Sequence, residues 1–153
     1  MNTIKYAHTN LIANNWHSLA DFYIKTFACI PIYPERDISE PWISDMTKVP
    51  DTHLRGIHLR LPGHGDSGPT LEIFQYNIKE KSPQTHKINN FGFGHLAFLV
   101  DNVEELRDIV VQNGGSLYGD LVRAEVAGVG IITAIYICDP EGNIIELQSW
   151  EKS

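Results

Sequence analysis

A chain of 153 residues, 42% hydrophobic and 20% charged, carries enough apolar material for a packed core and suits one domain or two small modules. Twelve Lys and Arg against nineteen Asp and Glu leave a formal charge of −7, which argues against a protein that wraps nucleic acid or lies on an anionic membrane. No apolar run approaches the ~18 residues of a membrane span. The opening MNTIKYAHTN has no signal-type apolar segment, and Cys29 and Cys138 form neither a CxxC pair nor a disulfide framework, so a cytoplasmic protein is the expectation.

In chain order, His8 opens an apolar stretch that ends at Asn14-Asn15, residues suited to cap a helix because their side chains accept from free backbone N–H groups. A helix is predicted next, with Leu19, Phe22, Tyr23 and Phe27 on one face. Pro34–Val49 is proline-containing and charged and reads as an inserted loop. A hairpin turning at LPGHGDSGP (61–69) leads into the strand TLEIFQY. Residues 78–91 are polar and form the expected linker. The pattern then repeats: His95 lies over His8, Asp101-Asn102 over Asn14-Asn15, and Gly142-Asn-Ile-Ile-Glu-Leu over Gly68-Pro-Thr-Leu-Glu-Ile. The second helix carries Val103, Leu106, Ile109 and Val110 inward, has Asn102 and Glu105 in capping-box spacing, and stops at Gly114-Gly115. Its hairpin turns at CDPEGN (138–143). The expected architecture is α+β, a βαβββ module over about 4–77 and another over about 92–150, within a single domain of 1–153.

The repeat superimposes His8 on His95 and Glu72 on Glu146. Strand alternation sets Glu72 on one face with Thr70, Phe74 and Tyr76, and Glu146 with Ile144, Gln148 and Trp150. A carboxylate among such residues costs several kcal/mol unless a cation compensates it. If the two faces line one cleft, a divalent metal held by two imidazoles and two carboxylates is the simplest compensation. His58 and Arg60 share a face in GIHLRLP and are further candidates, Arg60 for an anionic substrate. The GFGHLA stretch at Gly92–Ala97 formally fits GxGxxA, yet it opens a strand where a dinucleotide loop opens a helix. The two cysteines sit in apolar surroundings and read as packing residues.

On AHTNLIANNWHSLADFYIKTF, GPTLEIFQY, GFGHLAFLVDNVEELRDIVVQNGG and DPEGNIIEL, the chain resembles the vicinal oxygen chelate superfamily, also called the glyoxalase/bleomycin-resistance/dioxygenase superfamily. The last two segments resemble the second half of bacterial glyoxalase I, the lactoylglutathione lyase. The resemblance covers nearly the whole chain and implies two βαβββ modules in a curved sheet around a metal cleft. It implies His8, Glu72, His95 and Glu146 as ligands of a divalent metal (Zn, Ni, Co, Mn or Fe), in a site formed within one chain or across a homodimer. It also implies a lyase or isomerase that abstracts a proton next to a carbonyl of a small-molecule substrate, with Glu146 as catalytic base and Glu72 as ligand or second base. The departures concern the substrate. Ile12 stands where glyoxalase I has an Arg that holds a glutathione carboxylate, and Asn77 falls one residue late for the other glutathione contact. Methylmalonyl-CoA-type epimerases usually carry a PLG-type segment where this chain has FQYNIKEKSP. Other classes within the resemblance are a metal-free drug-binding resistance protein, a ring-cleaving dioxygenase and a fosfomycin-modifying enzyme. Fold alone does not choose among them.

Overall fold

The computed structural model describes residues 2–81 and 85–152, so the part of the linker at 82–84 lies outside the described residues. The chain divides into two compact units, Met1–Lys81 and Ser82–Ser153.

In the first unit, β1 (His8–Ile12) leads into α1 (Trp16–Phe27), whose start is set by Asn15 accepting from the Ser18 N–H at 3.2 Å. The apolar positions of α1 do what their spacing predicts: Leu19, Phe22, Tyr23 and Phe27 are buried. They pack on the sheet through Leu59, Leu71 and Ile73, all buried on the face turned toward the helix. Three more strands follow, β2 (Ile30–Ile38), β3 (Leu54–Arg60) and β4 (Thr70–Tyr76), in the order β1-β4-β3-β2, with β1 parallel to β4 and the rest antiparallel. The turn at 61–69 joins β3 to β4 as expected.

The stretch Pro34–Val49 differs from the loop expected of it. Residues 34–38 continue β2 past a bulge between Ile32 and Arg36, and α2 (Pro41–Thr47) follows. Both prolines sit where a missing N–H is tolerated: Pro34 in the bulge of an edge strand, Pro41 at the first turn of the helix. Ile43 is the buried contact of that short helix.

The second unit repeats the plan with β5 (Leu96–Leu99), α3 (Val103–Gln112), β6 (Ser116–Leu117), β7 (Val122–Val126), β8 (Gly130–Cys138) and β9 (Ile144–Glu151). Asn102 caps α3 by accepting from Glu105 N–H at 3.0 Å. Both β6 and β7 pair with β8, so they are two pieces of one edge strand broken at 118–121, as β2 is bulged in the first unit. The turn after β8 is held by Asp139, which is buried and accepts from Glu141 N–H, Asn143 N–H and the Asn143 amide at 2.9, 3.0 and 2.7 Å. Among the described residues no helix is long and apolar enough to cross a membrane.

Cys29 directly follows the C-cap of α1 with 2% exposure, and burial pushes its thiol up to about 12. Between the ordinary value of 9.0 and about 12, the unfolded chain releases a proton that the folded chain keeps, so stability falls as pH rises through that window. Cys29 is therefore expected to resist iodoacetamide in the native protein at pH 8 and to react at once in urea. Mass spectrometry of the alkylated peptides reads the difference.

Candidate functional site

The register of the first sheet builds its polar face row by row. His8 lies beside Thr70 and Thr70 beside Arg60; in the next row, Asn10 lies beside Glu72 and Glu72 beside His58. One row further, Ile12, Phe74 and Gly56 adjoin, with Arg36 opposite Gly56. Strand alternation thus turns Leu71 and Ile73 to the helix and Glu72 to the opposite side.

Glu72 is the centre of this face. Only 9% of the residue is exposed, and both carboxylate oxygens face nitrogen. Asn10 Nδ2 donates to Oε1 at 2.9 Å, His8 Nε2 lies 3.6 Å from the same oxygen, and His58 Nε2 lies 2.7 Å from Oε2. The other ring nitrogen of His58, Nδ1, is 3.2 Å from the Thr70 hydroxyl, so both of its nitrogens are engaged. The His58 ring also meets His8 and Phe74 edge-on, at centroid distances of 5.6 and 5.8 Å. Burial lowers the pKa of His58; Glu72 opposes that shift, while Arg36 and His8 reinforce it.

One ligand atom from each of His8, His58 and Glu72 lies within 4.8 Å of the other two. Two imidazole nitrogens and a carboxylate oxygen are the donor set of Zn and of the first-row metals near it. Among the described residues, no Lys or Arg pairs with Glu72, so the charge of a buried carboxylate is met by imidazoles and an amide alone. A divalent cation fits that environment.

The second unit presents the corresponding pair. His95 stands one residue ahead of β5, and its Nε2 lies 3.1 Å from Glu146 Oε2. Glu146 is flanked by Ala97 on β5 and Tyr136 on β8. The Tyr136 ring meets His95 edge-on at 5.0 Å, and burial, then the charge of Glu146, raises its phenol above the usual range. Each unit therefore joins its own His and Glu. His58 was only a secondary candidate in the sequence, and Tyr136 was not singled out. Counting back from the CDPEGN turn puts Tyr136 opposite Glu146, the one signal that would have found it. Cys138 takes no part; burial and then Asp139 raise its thiol.

Known structures share this fold. A glyoxalase family protein from Bacillus cereus matches with a TM-score of 0.83 at 15% identity, over 98% of this chain and 96% of that one. A glyoxalase/bleomycin resistance protein/dioxygenase family enzyme from Burkholderia phytofirmans matches with a TM-score of 0.60 at 15% identity, over 95% and 98%. A domain of the same description from Frankia gives a TM-score of 0.58 at 15% identity, over 98% and 100%. At such identity the likeness speaks for fold alone. No curated protein matches the chain significantly. The family model of the Glyoxalase/Bleomycin resistance protein/Dioxygenase superfamily matches residues 5–147, nearly the whole length, and with the repeated strand–helix–strand plan this makes the chain a member of that superfamily.

Proposed function

We propose that the protein is a metal-dependent lyase or isomerase of the glyoxalase kind, moving a proton on a carbon next to a carbonyl. The observation that carries the reading is the buried Glu72 carboxylate with two imidazoles around it. In this reading His8, Glu72, His95 and Glu146 would be the ligands of a divalent metal, in a site formed within one chain or across a homodimer. When bound, such an ion polarises a carbonyl oxygen and stabilises negative charge developing there.

The chain's own residues supply the rest. His8 and His95 each bring a ring nitrogen beside the carboxylate of their own unit, where it would serve as a metal ligand. Asn10 and His58 fix the two oxygens of Glu72, so that the carboxylate keeps one orientation. Glu146 takes the proton from carbon and returns it to the neighbouring carbon, so the substrate is rearranged with no change in its atoms. Phe74 and Tyr76 extend the Glu72 face as a half-buried aromatic margin that keeps water away from it. The test is a screen of the metal-loaded protein with hemithioacetals and 2-hydroxy thioesters in D₂O. Deuterium entering the carbon next to the carbonyl supports the reading; a protein that binds metal yet exchanges none of these carbons contradicts it.

His58 gives a sharper check of how Glu72 is held. In this reading His58 acts from outside the four ligands, orienting Glu72 through its contact with Oε2, and loss of such partners typically costs 10–100-fold in metal affinity. His58→Ala is expected to weaken Zn or Co binding by about that factor, with His58→Gln recovering part of it. Competition against a chromophoric chelator measures both.

A further inference from the structure

Apart from the Glu72 cluster, the same sheet face carries two guanidinium groups whose charge the fold leaves poorly matched. Arg60 adjoins Thr70 in the row next to Glu72 and His58. Its Nη1 reaches Asp66 at 3.1 Å, but Asp66 is a loop residue with a side chain 92% exposed, and pairs of that kind contribute little. Its Nε is buried and has no acceptor among the described residues, an arrangement that costs free energy until an acceptor arrives. Arg36 stands opposite Gly56 on the other side of His58, close enough for its charge to act on that ring. Its guanidinium donates to the carbonyl of Pro34, and among the described residues no carboxylate lies within ion-pair distance of it. Two half-buried arginines thus flank the Glu72–His58 pair in a protein whose formal charge is −7.

Resting on the reading given under Proposed function, we propose that the substrate of this site carries a carboxylate, received by Arg60 through its forked N–H groups with Arg36 adding charge from the other side. A carboxylate matches the planar fork of a guanidinium with two parallel hydrogen bonds. On binding, it takes the place of Asp66, and the guanidinium turns so that Nε gains its missing acceptor. Positions two apart on a strand lie about 7 Å apart, so a carboxylate anchored on Arg60 sits within a few carbons of a group held over Glu72. The substrate class is therefore a short carbonyl compound bearing a carboxylate.

The test uses the purified full-length protein and needs no turnover. The arginine Nε–H resonance of Arg60, assigned through its loss in Arg60→Lys, is followed by NMR during titration with propionate, and with propionamide and inorganic phosphate at matched ionic strength. Propionate should give a saturable shift in the millimolar range and propionamide none. Asp66→Asn, a change in an exposed loop, should tighten propionate binding several-fold by removing the internal competitor. Arg60→Lys, which keeps the charge and loses the fork, should weaken it about tenfold as read from backbone shifts at Thr70 and His58. No saturable shift with propionate, or saturation by phosphate alone, overturns the proposal. Metal content measured on the same sample reports separately on the reading beneath it, because a protein can fail either test and pass the other.

Discussion

Glu146→Gln is expected to lower the rate of proton exchange at carbon by about 10²–10⁴-fold while leaving the fold intact and most of the metal in place. The amide keeps the shape of the carboxylate and can still accept from His95 Nε2, which lies 3.1 Å from Oε2 in the native protein. What it loses is basicity. Glu146 is well placed for the task because its side chain is only 16% exposed, and because Ala97 on one flank leaves room that a larger neighbour would fill. The phenol of Tyr136 on the other flank is held neutral by burial and by the Glu146 charge, so it stands as a hydrogen-bond donor beside the base. Solvent-deuterium incorporation, followed beside elemental analysis of the same preparation, separates loss of the base from loss of the metal. A variant that exchanges protons at the native rate would move the base elsewhere, with Glu72 the next residue to test.

The second large effect is on stability. Gly56 lies on β3 directly opposite Phe74; Gly56 is two residues from His58, and Phe74 is two residues from Glu72, the neighbour of His58 across the ladder. A Cβ at this position would stand 2.0 Å from the Ile73 carbonyl oxygen and 2.5 Å from a ring carbon of Phe74. The ring can swing aside, but the carbonyl belongs to the ladder itself, so the two strands must part. Gly56→Ala is expected to cost at least about 3 kcal/mol, the upper range for overpacking, seen as a lower urea midpoint with an unchanged slope. Because the displaced strands are the ones that bring His58 to Glu72, whatever folds should also bind metal less well. A native urea midpoint would show that β3 and β4 have slack at this point.

The sequence exposed the parts of the structure that repeat or alternate. Asn15 and Asn102 announce helix starts because a short polar side chain before an apolar-periodic run has a specific use there, and each accepts the expected N–H. Glu72 and Glu146 stood out because each interrupts an apolar strand at the same place in both copies, where each meets its own His. PERDISEPWISD was illegible for the opposite reason: it has neither period, so a bulged edge strand and a helix of seven residues read as one loop. His58 was visible as a face-mate of Arg60, but its contact with Glu72 depends on the register across the 61–69 turn, whose length alone leaves several registers open. The free N–H of Arg60 is a matter of side-chain placement, which no spacing rule encodes.

If His8 and Glu72 help hold a metal ion, elemental analysis of untagged protein after exhaustive dialysis without chelator, with His8→Ala treated alike, reads it out. About one divalent transition metal per chain is expected in the native protein, lost from the variant. Native protein that holds no metal and takes none up when Zn, Ni, Co, Mn and Fe are offered would contradict it, and would turn the Glu72 face into a binding surface that works without one.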